Sequence, residues 1–161
     1  MSVDGEGFER FREQLDSASF GVLATHGPSD RLDLVPCCFA VATAIAETTA
    51  DAETAVDSGE ERAAELVTAI DHKPKRTNRL ARLRNVERNT AVTLLVDHRD
   101  PADWSQLWWL RAQGTATIET EGHDHTHAID ALVAKYRQYQ AVRPEGPVIR
   151  ISVDRWTSWG I

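Results

Sequence analysis

The sequence predicts a mainly β fold with appended helices, an antiparallel barrel of about six strands. Three observations point to it. Short apolar or alternating runs recur along the chain and are joined mainly by turn residues rather than by regular helical crossovers. Two or three helical patterns fall between early and late strands instead of after each one, which argues against a doubly wound sheet. Neither a GxGxxG nor a Walker A sequence is present, so the usual nucleotide-binding loops are missing.

The elements follow in chain order. Phe8 to Leu15 reads as an amphipathic helix with Phe8, Phe11 and Leu15 on one face. Phe20-Gly-Val-Leu-Ala-Thr25 is a strand, closed by the turn signal His26-Gly-Pro-Ser-Asp30. Leu32 to Val41 is a second strand forming a hairpin with the first, and Pro36 suggests an edge or a bulge. Residues 46–62 carry six acids, one base and almost no bulky apolar side chain, so they are expected to be a solvated insertion. Ala64 to Ile70 resumes a strand, Pro74 breaks the backbone, and a helix is expected from about Thr77 to Arg88. Thr90 to Val96 is a buried strand, and Leu107 to Ile118 a long one with Gly114 marking a bulge or bend. His127 to Tyr139 reads as a helix and Val148 to Val153 as the last strand, with Trp156 to Trp159 closing the chain.

At 161 residues these elements make a single domain over 1–161, with the acidic insertion looped out of it. No apolar run approaches the roughly 18 residues of a membrane span, and the N-terminus lacks the basic and apolar regions of a signal peptide, so the chain is read as cytoplasmic. Cys37 and Cys38 are adjacent, project to opposite faces and are expected to be reduced thiols. The net charge of −7 argues against nucleic-acid binding. Lysine is scarce, three against fifteen arginines, a bias that a salt-rich cell or a GC-rich genome would each produce.

Against that acidic background one stretch stands out. Lys73, Lys75, Arg76, Arg79, Arg82, Arg84 and Arg88 fall within residues 72–88, opposed there only by Glu87. A positive field kept inside an acidic molecule is explained most simply by a bound anion. On a helix from Thr77 to Arg88, Leu80, Leu83 and Val86 form the apolar stripe. Arg76 and Arg79 then share its side at the N-terminal end, while Arg82, Arg84 and Arg88 take the flanks and outer face. An anion there would also meet free N–H groups and the positive end of the helix dipole, with Thr77 able to cap the helix or donate its hydroxyl. The alternative is an ordinary amphipathic helix whose arginines pair with surface carboxylates.

Four segments carry a family resemblance: Asp71-His-Lys-Pro-Lys-Arg-Thr77, Arg82-Leu-Arg-Asn-Val-Glu-Arg-Asn89, Val92-Thr-Leu-Leu-Val-Asp-His98 and Asp103-Trp-Ser-Gln-Leu-Trp-Trp-Leu-Arg-Ala-Gln-Gly114. Together they resemble the pyridoxamine phosphate oxidase-like (PPOX-class) proteins of the flavin/deazaflavin split-barrel superfamily, most nearly the group assigned to the deazaflavin coenzyme F420. The opening hairpin, Gly21-Val-Leu-Ala-Thr25 with Leu34-Val-Pro-Cys-Cys-Phe39, resembles the first two strands of that family. The resemblance implies a six-stranded split β-barrel that forms a homodimer with cofactor sites at the interface. It implies that Lys73, Lys75, Arg76, Thr77 and Arg79 hold the cofactor phosphate. It also implies that the backbone of Pro36, Cys37 and Cys38 borders the ring and that Trp108 and Trp109, coming from the dimer side, could wall it. The function implied is an F420-dependent oxidoreductase transferring hydride between the reduced cofactor and a small unsaturated substrate. The alternatives are an FMN-dependent oxidase or reductase, and a non-catalytic flavin, deazaflavin or haem carrier. Asn89-Thr90 stands where relatives commonly have Asn-Pro.

Other residues bear on chemistry. His98, beside Asp97 at a strand end, could donate a proton to substrate or simply end the strand. His123 and His127 could reach one metal if both lie on a helix. Without a Cys or a distant ligand, the 123–127 cluster reads instead as a polar turn and cap, and no metal is expected. Of five tryptophans, Trp109 is the first choice for stacking on a planar ring, because strand alternation turns it away from Trp108.

Overall fold

A computed structural model describes residues 4–43, 64–70 and 80–161, with side chains from Gly7 onward. Two short helices open the chain, α1 (Asp4–Arg10) and α2 (Arg12–Ser17). The first hairpin is β1 (Gly21–His26) with β2 (Leu32–Cys37), followed by β3 (Ala40–Ala42) and β4 (Glu65–Ala69). Helix α3 (Ala81–Arg88) leads into β5 (Ala91–His98) and β6 (Trp108–Glu119). Helices α4 (His123–Lys135) and α5 (Arg137–Ala141) precede β7 (Val148–Trp159).

The strands form one antiparallel sheet in the order β2-β1-β5-β6-β7-β4-β3, seven strands rather than the six expected. The extra strand arises because the expected run from Leu32 to Val41 divides at Cys38 and Phe39. Its halves lie at opposite edges of the sheet. A link of two residues can span only about 11 Å, so the sheet must curl until its edges nearly meet. The barrel is closed by the chain and not by hydrogen bonds, which is what makes it split.

Tyr136 explains the division. The Phe39 N–H donates to the Tyr136 hydroxyl at 3.0 Å, and the phenolic proton lies between the carbonyls of Phe39 (2.7 Å) and Ser19 (3.0 Å). Phe39 thus satisfies both backbone groups away from any ladder, as a buried peptide must. The same residue ends α4: Tyr136 is extended at φ −114°, ψ 118°, and splits the single helix expected over 127–139 into α4 and α5.

Phe8, Phe11 and Leu15 are buried as expected and lie in the main core with Leu23, Leu66, Leu94, Leu110 and Ile151. Phe8 meets the Trp156 ring edge-on at 4.9 Å. Gly7 permits this approach, since a Cβ there would lie 2.2 Å from the indole nitrogen. A second cluster, with Val67, Ile129, Leu132 and Tyr136, joins α4 to β3 and β4. Arg150 ties the start of α4 to the sheet, bonding Glu65 at 2.5 Å and Asp124 at 2.7 Å. The bulge expected at Gly114 is present: Gln113 faces Arg155 and Gly114 faces Val153, leaving Asp154 as the extra residue. A Cβ on Gly114 would stand 2.0 Å from the Ser152 carbonyl oxygen, so only glycine fits. The last strand therefore continues through Trp159 instead of stopping at Val153.

Helix α3 begins later than expected, with Leu80 as its extended N-cap residue. Thr77 lies outside the described residues, and within the helix the stripe is carried by Leu83 and Val86. The acidic insertion at 46–62 lies outside the described residues. Helix α3 is held over the barrel end by a buried polar contact: Asn85 Nδ2 donates to Thr25 Oγ1 at 3.0 Å and to Asp33 Oδ2 at 2.8 Å. Removing this amide would leave a buried hydroxyl short of its donor. Asn85→Ala should lower unfolding stability by about 2–3 kcal/mol, read from urea denaturation midpoints.

Candidate functional site

The side chains of β2, β1, β5 and β6 that turn away from the core make a second, outward face. Its cross-strand rows follow from the register. Pro36 faces Val22, which faces Leu95, which faces Arg111; Leu34 faces Ala24, which faces Thr93. A cavity of about 430 Å³ opens on this face, within the size range of small-molecule sites. Its floor is Val22, Ala24, Leu34, Thr93 and Leu95; Asp97, Trp109 and Arg111 form one wall, and Arg99, Leu107 and Trp108 close the end.

Two charged groups in it differ in kind. Arg99 is paired with the Asp97 carboxylate. The Arg111 guanidinium lies 5.8 Å from the Trp109 ring centroid, and its Nε is buried with no hydrogen-bond partner among the described residues. A guanidinium offers only donors, so this arrangement suits a planar ligand with carbonyl or anionic oxygen at its edge. The sequence reading reached Trp109 but missed Arg111. The signal was present, since residues two apart on a strand share a face.

Of the other residues singled out, Pro36 is exposed on the same face as Trp109 but three strands away, roughly 14 Å at ordinary strand spacing. Cys37 points to the core side and Cys38 sits in the link between sheet edges, and neither forms a disulfide. Lys73, Lys75, Arg76, Thr77 and Arg79 lie outside the described residues. His98 is exposed with its ring stacked on Trp108 at 6.1 Å, and it is not among the residues lining the cavity.

Arg82, assigned by helix geometry to a flank or the outer face, is half-buried with its Nε unpartnered. The helix starts at Ala81, so Arg82 is in the first turn rather than the middle. Its charge acts on Cys37. Burial pushes that thiol up from its usual range, partly offset by the Thr68 hydroxyl and then by Arg82. Arg84 and Arg88 are exposed, as expected.

On the far side of the link, Lys135 Nζ donates to the Leu15 carbonyl at 2.8 Å and lies 3.9 Å from the Phe39 ring centroid. Burial lowers its pKa from the ordinary 10.5 to about 8, a shift that Asp16 and Cys38 oppose. Among the described residues no group of three or more side chains could hold a metal ion. No helix of the described residues is long and apolar enough to cross a membrane.

A family model described as pyridoxamine 5'-phosphate oxidase matches residues 8–160. No curated protein matches. Among solved structures, a conserved hypothetical protein from Mycobacterium tuberculosis superposes with TM-score 0.64 at 18% identity, over 94% of this chain and 82% of that one. A heme binding protein from Mycobacterium smegmatis gives 0.60 at 13% identity, over 92% and 53%. A FAD-binding protein from Mesorhizobium loti gives 0.55 at 13% identity, over 93% and 90%. At these identities the likeness is one of fold.

Lys135 makes the pH dependence of stability testable. Between about pH 8 and 10.5 the folded chain has released a proton that the unfolded chain still holds, so this group's contribution favours folding increasingly as pH rises. Cys37 and Tyr136, both pushed up by burial, act in the opposite direction at alkaline pH, so the effect is read as a difference. Wild type should gain stability relative to Lys135→Met as denaturation is repeated upward from pH 8, and a constant difference would count against a depressed Lys135.

Proposed function

The chain belongs to the pyridoxamine 5'-phosphate oxidase family, and on that premise we propose that it is an oxidoreductase holding a flavin-type cofactor. The first choice is F420, with FMN as the alternative. The observation that carries the reading is the unpartnered Arg111 Nε beside Trp109 in a cavity with an apolar floor. Trp109 offers a flat face to a ring and Arg111 offers donors to its oxygen-bearing edge. Among the described residues the lining contains no His, Cys, Met or Tyr to serve as an axial iron ligand, which favours a flavin-type ring over haem in this cavity.

When bound, such a ring supplies the hydride chemistry. The chain's own residues bind and orient it. The apolar floor with Leu34 and Leu95 would support such a ring and limit water beside it, and Arg111 would orient it by donating to its oxygen atoms. The basic run at residues 73–79 supports an anionic tail, since it joins the end of β4 to the start of α3. A phosphodiester tail with carboxylates, as in F420, suits several bases better than a single terminal phosphate does.

The reading includes a homodimer. Leu34, in the cavity lining, is 64% exposed, and Trp159, opposite Trp109 in the register, is 55% exposed. A second copy placed there would cover this apolar surface and shut the cavity mouth.

Titration of the purified chain with F420, FMN and haem separates the cofactors. Arg111→Ala should weaken binding of the preferred one by about 1–3 kcal/mol with little change in apo melting temperature. Unchanged affinity, or tight binding of haem alone, would overturn the assignment. Leu34→Asp should convert the dimer to a monomer in light scattering and weaken cofactor binding with it. A wild-type chain that is monomeric at micromolar concentration would remove the dimer from the proposal.

A further inference from the structure

Helix α4 begins at His123, so the three histidines expected in a polar turn lie instead on its first turns, and they are not used alike. His125 Nε2 bonds the Gly146 carbonyl at 2.9 Å. Asp124 between them is committed to Arg150 at 2.7 Å. His123 and His127 make no hydrogen bond or ion pair with a described residue, and their rings face each other. Their rings lie parallel within 9°, centroids 6.5 Å apart. Positions four apart share a helix face, and two imidazoles in this relation are the spacing by which helices chelate zinc.

We propose that His123 and His127 form a two-ligand surface site for a divalent late transition-metal ion such as zinc. Metal–nitrogen distances of about 2.0–2.1 Å require the two rings to turn toward a shared point. His123 is exposed and His127 half-buried, and no described hydrogen bond resists that rotation. Imidazole selects such ions over magnesium and calcium, which prefer oxygen. With no third protein ligand in reach among the described residues, water completes the coordination. The ion is therefore exchangeable rather than structural. The chelate spans one turn at the start of α4, which the Arg150 cluster fastens to β4 and β7. Metal binding to the folded chain alone would raise its melting temperature.

The test is calorimetric titration of a tag-free chain with zinc chloride, beside melting curves with and without the ion. One site per chain with micromolar affinity is expected, together with a rise in melting temperature. His123→Ala and His127→Ala should each weaken binding about tenfold or more and abolish the thermal shift, while His125→Ala retains both. Magnesium should give neither effect. Zinc binding that survives His127→Ala would place the ion elsewhere, on Cys38 or another histidine, and would overturn the proposal, as would no binding below millimolar zinc.

Discussion

One phenolic oxygen holds the two edges of the sheet together. The Tyr136 hydroxyl meets both backbone groups of Phe39, and so lets the chain leave β2 at one edge and enter β3 at the other within two residues. Without a partner at that point, two buried peptide groups would lack hydrogen bonds, at a cost of several kcal/mol. The curl of the sheet follows from this link, and so does the separation of an inner core from an outer face. Lys135, lying over the Phe39 ring and bonded to the end of α2, braces the same corner from outside.

The candidate site depends on that separation. Inner positions of β1, β5 and β6 are committed to the core through Leu23, Leu94 and Leu110. The alternate positions are then free to be shaped by ligand and partner surface. Arg111 and Arg82 are half-buried bases whose Nε atoms lack hydrogen-bond partners among the described residues. Groups left unsatisfied in a folded chain mark places where something else is expected to bind, because desolvating a guanidinium without compensation is costly.

Much of this was legible in the residues. The hairpin, the apolar helix face of Phe8, Phe11 and Leu15, the Gly114 bulge and the outward turn of Trp109 all follow from local periodicity and glycine sterics. Strand count and helix ends were not legible. They are decided by Tyr136 and Phe39, 97 positions apart, and no local pattern reports a contact of that separation. Arg82 lies nearer the core than the sequence implied because Leu80 is outside the helix and Asn85 is buried with Leu83 and Val86, which moves the centre of the buried face toward it. Among the predicted ligand residues, Trp109 falls in the cavity, Cys37 falls on its opposite side, and the five basic positions at 73–79 lie beyond the described residues.

The single surplus residue at Asp154 sets the parity of everything after it. Before the bulge, Ile149, Ile151 and Val153 point inward; after it, the even-numbered Trp156 does, and packs on Phe8 and Phe11. Trp159, opposite Trp109 in the register, is thereby delivered to the outer surface. Were Asp154 paired in the ladder instead of bulged out of it, the two indoles would exchange, burying the one that extends the outer apolar face and expelling the one that anchors the first helix. One unpaired aspartate thus sorts two chemically identical side chains, giving one to the interior and the other to the exterior.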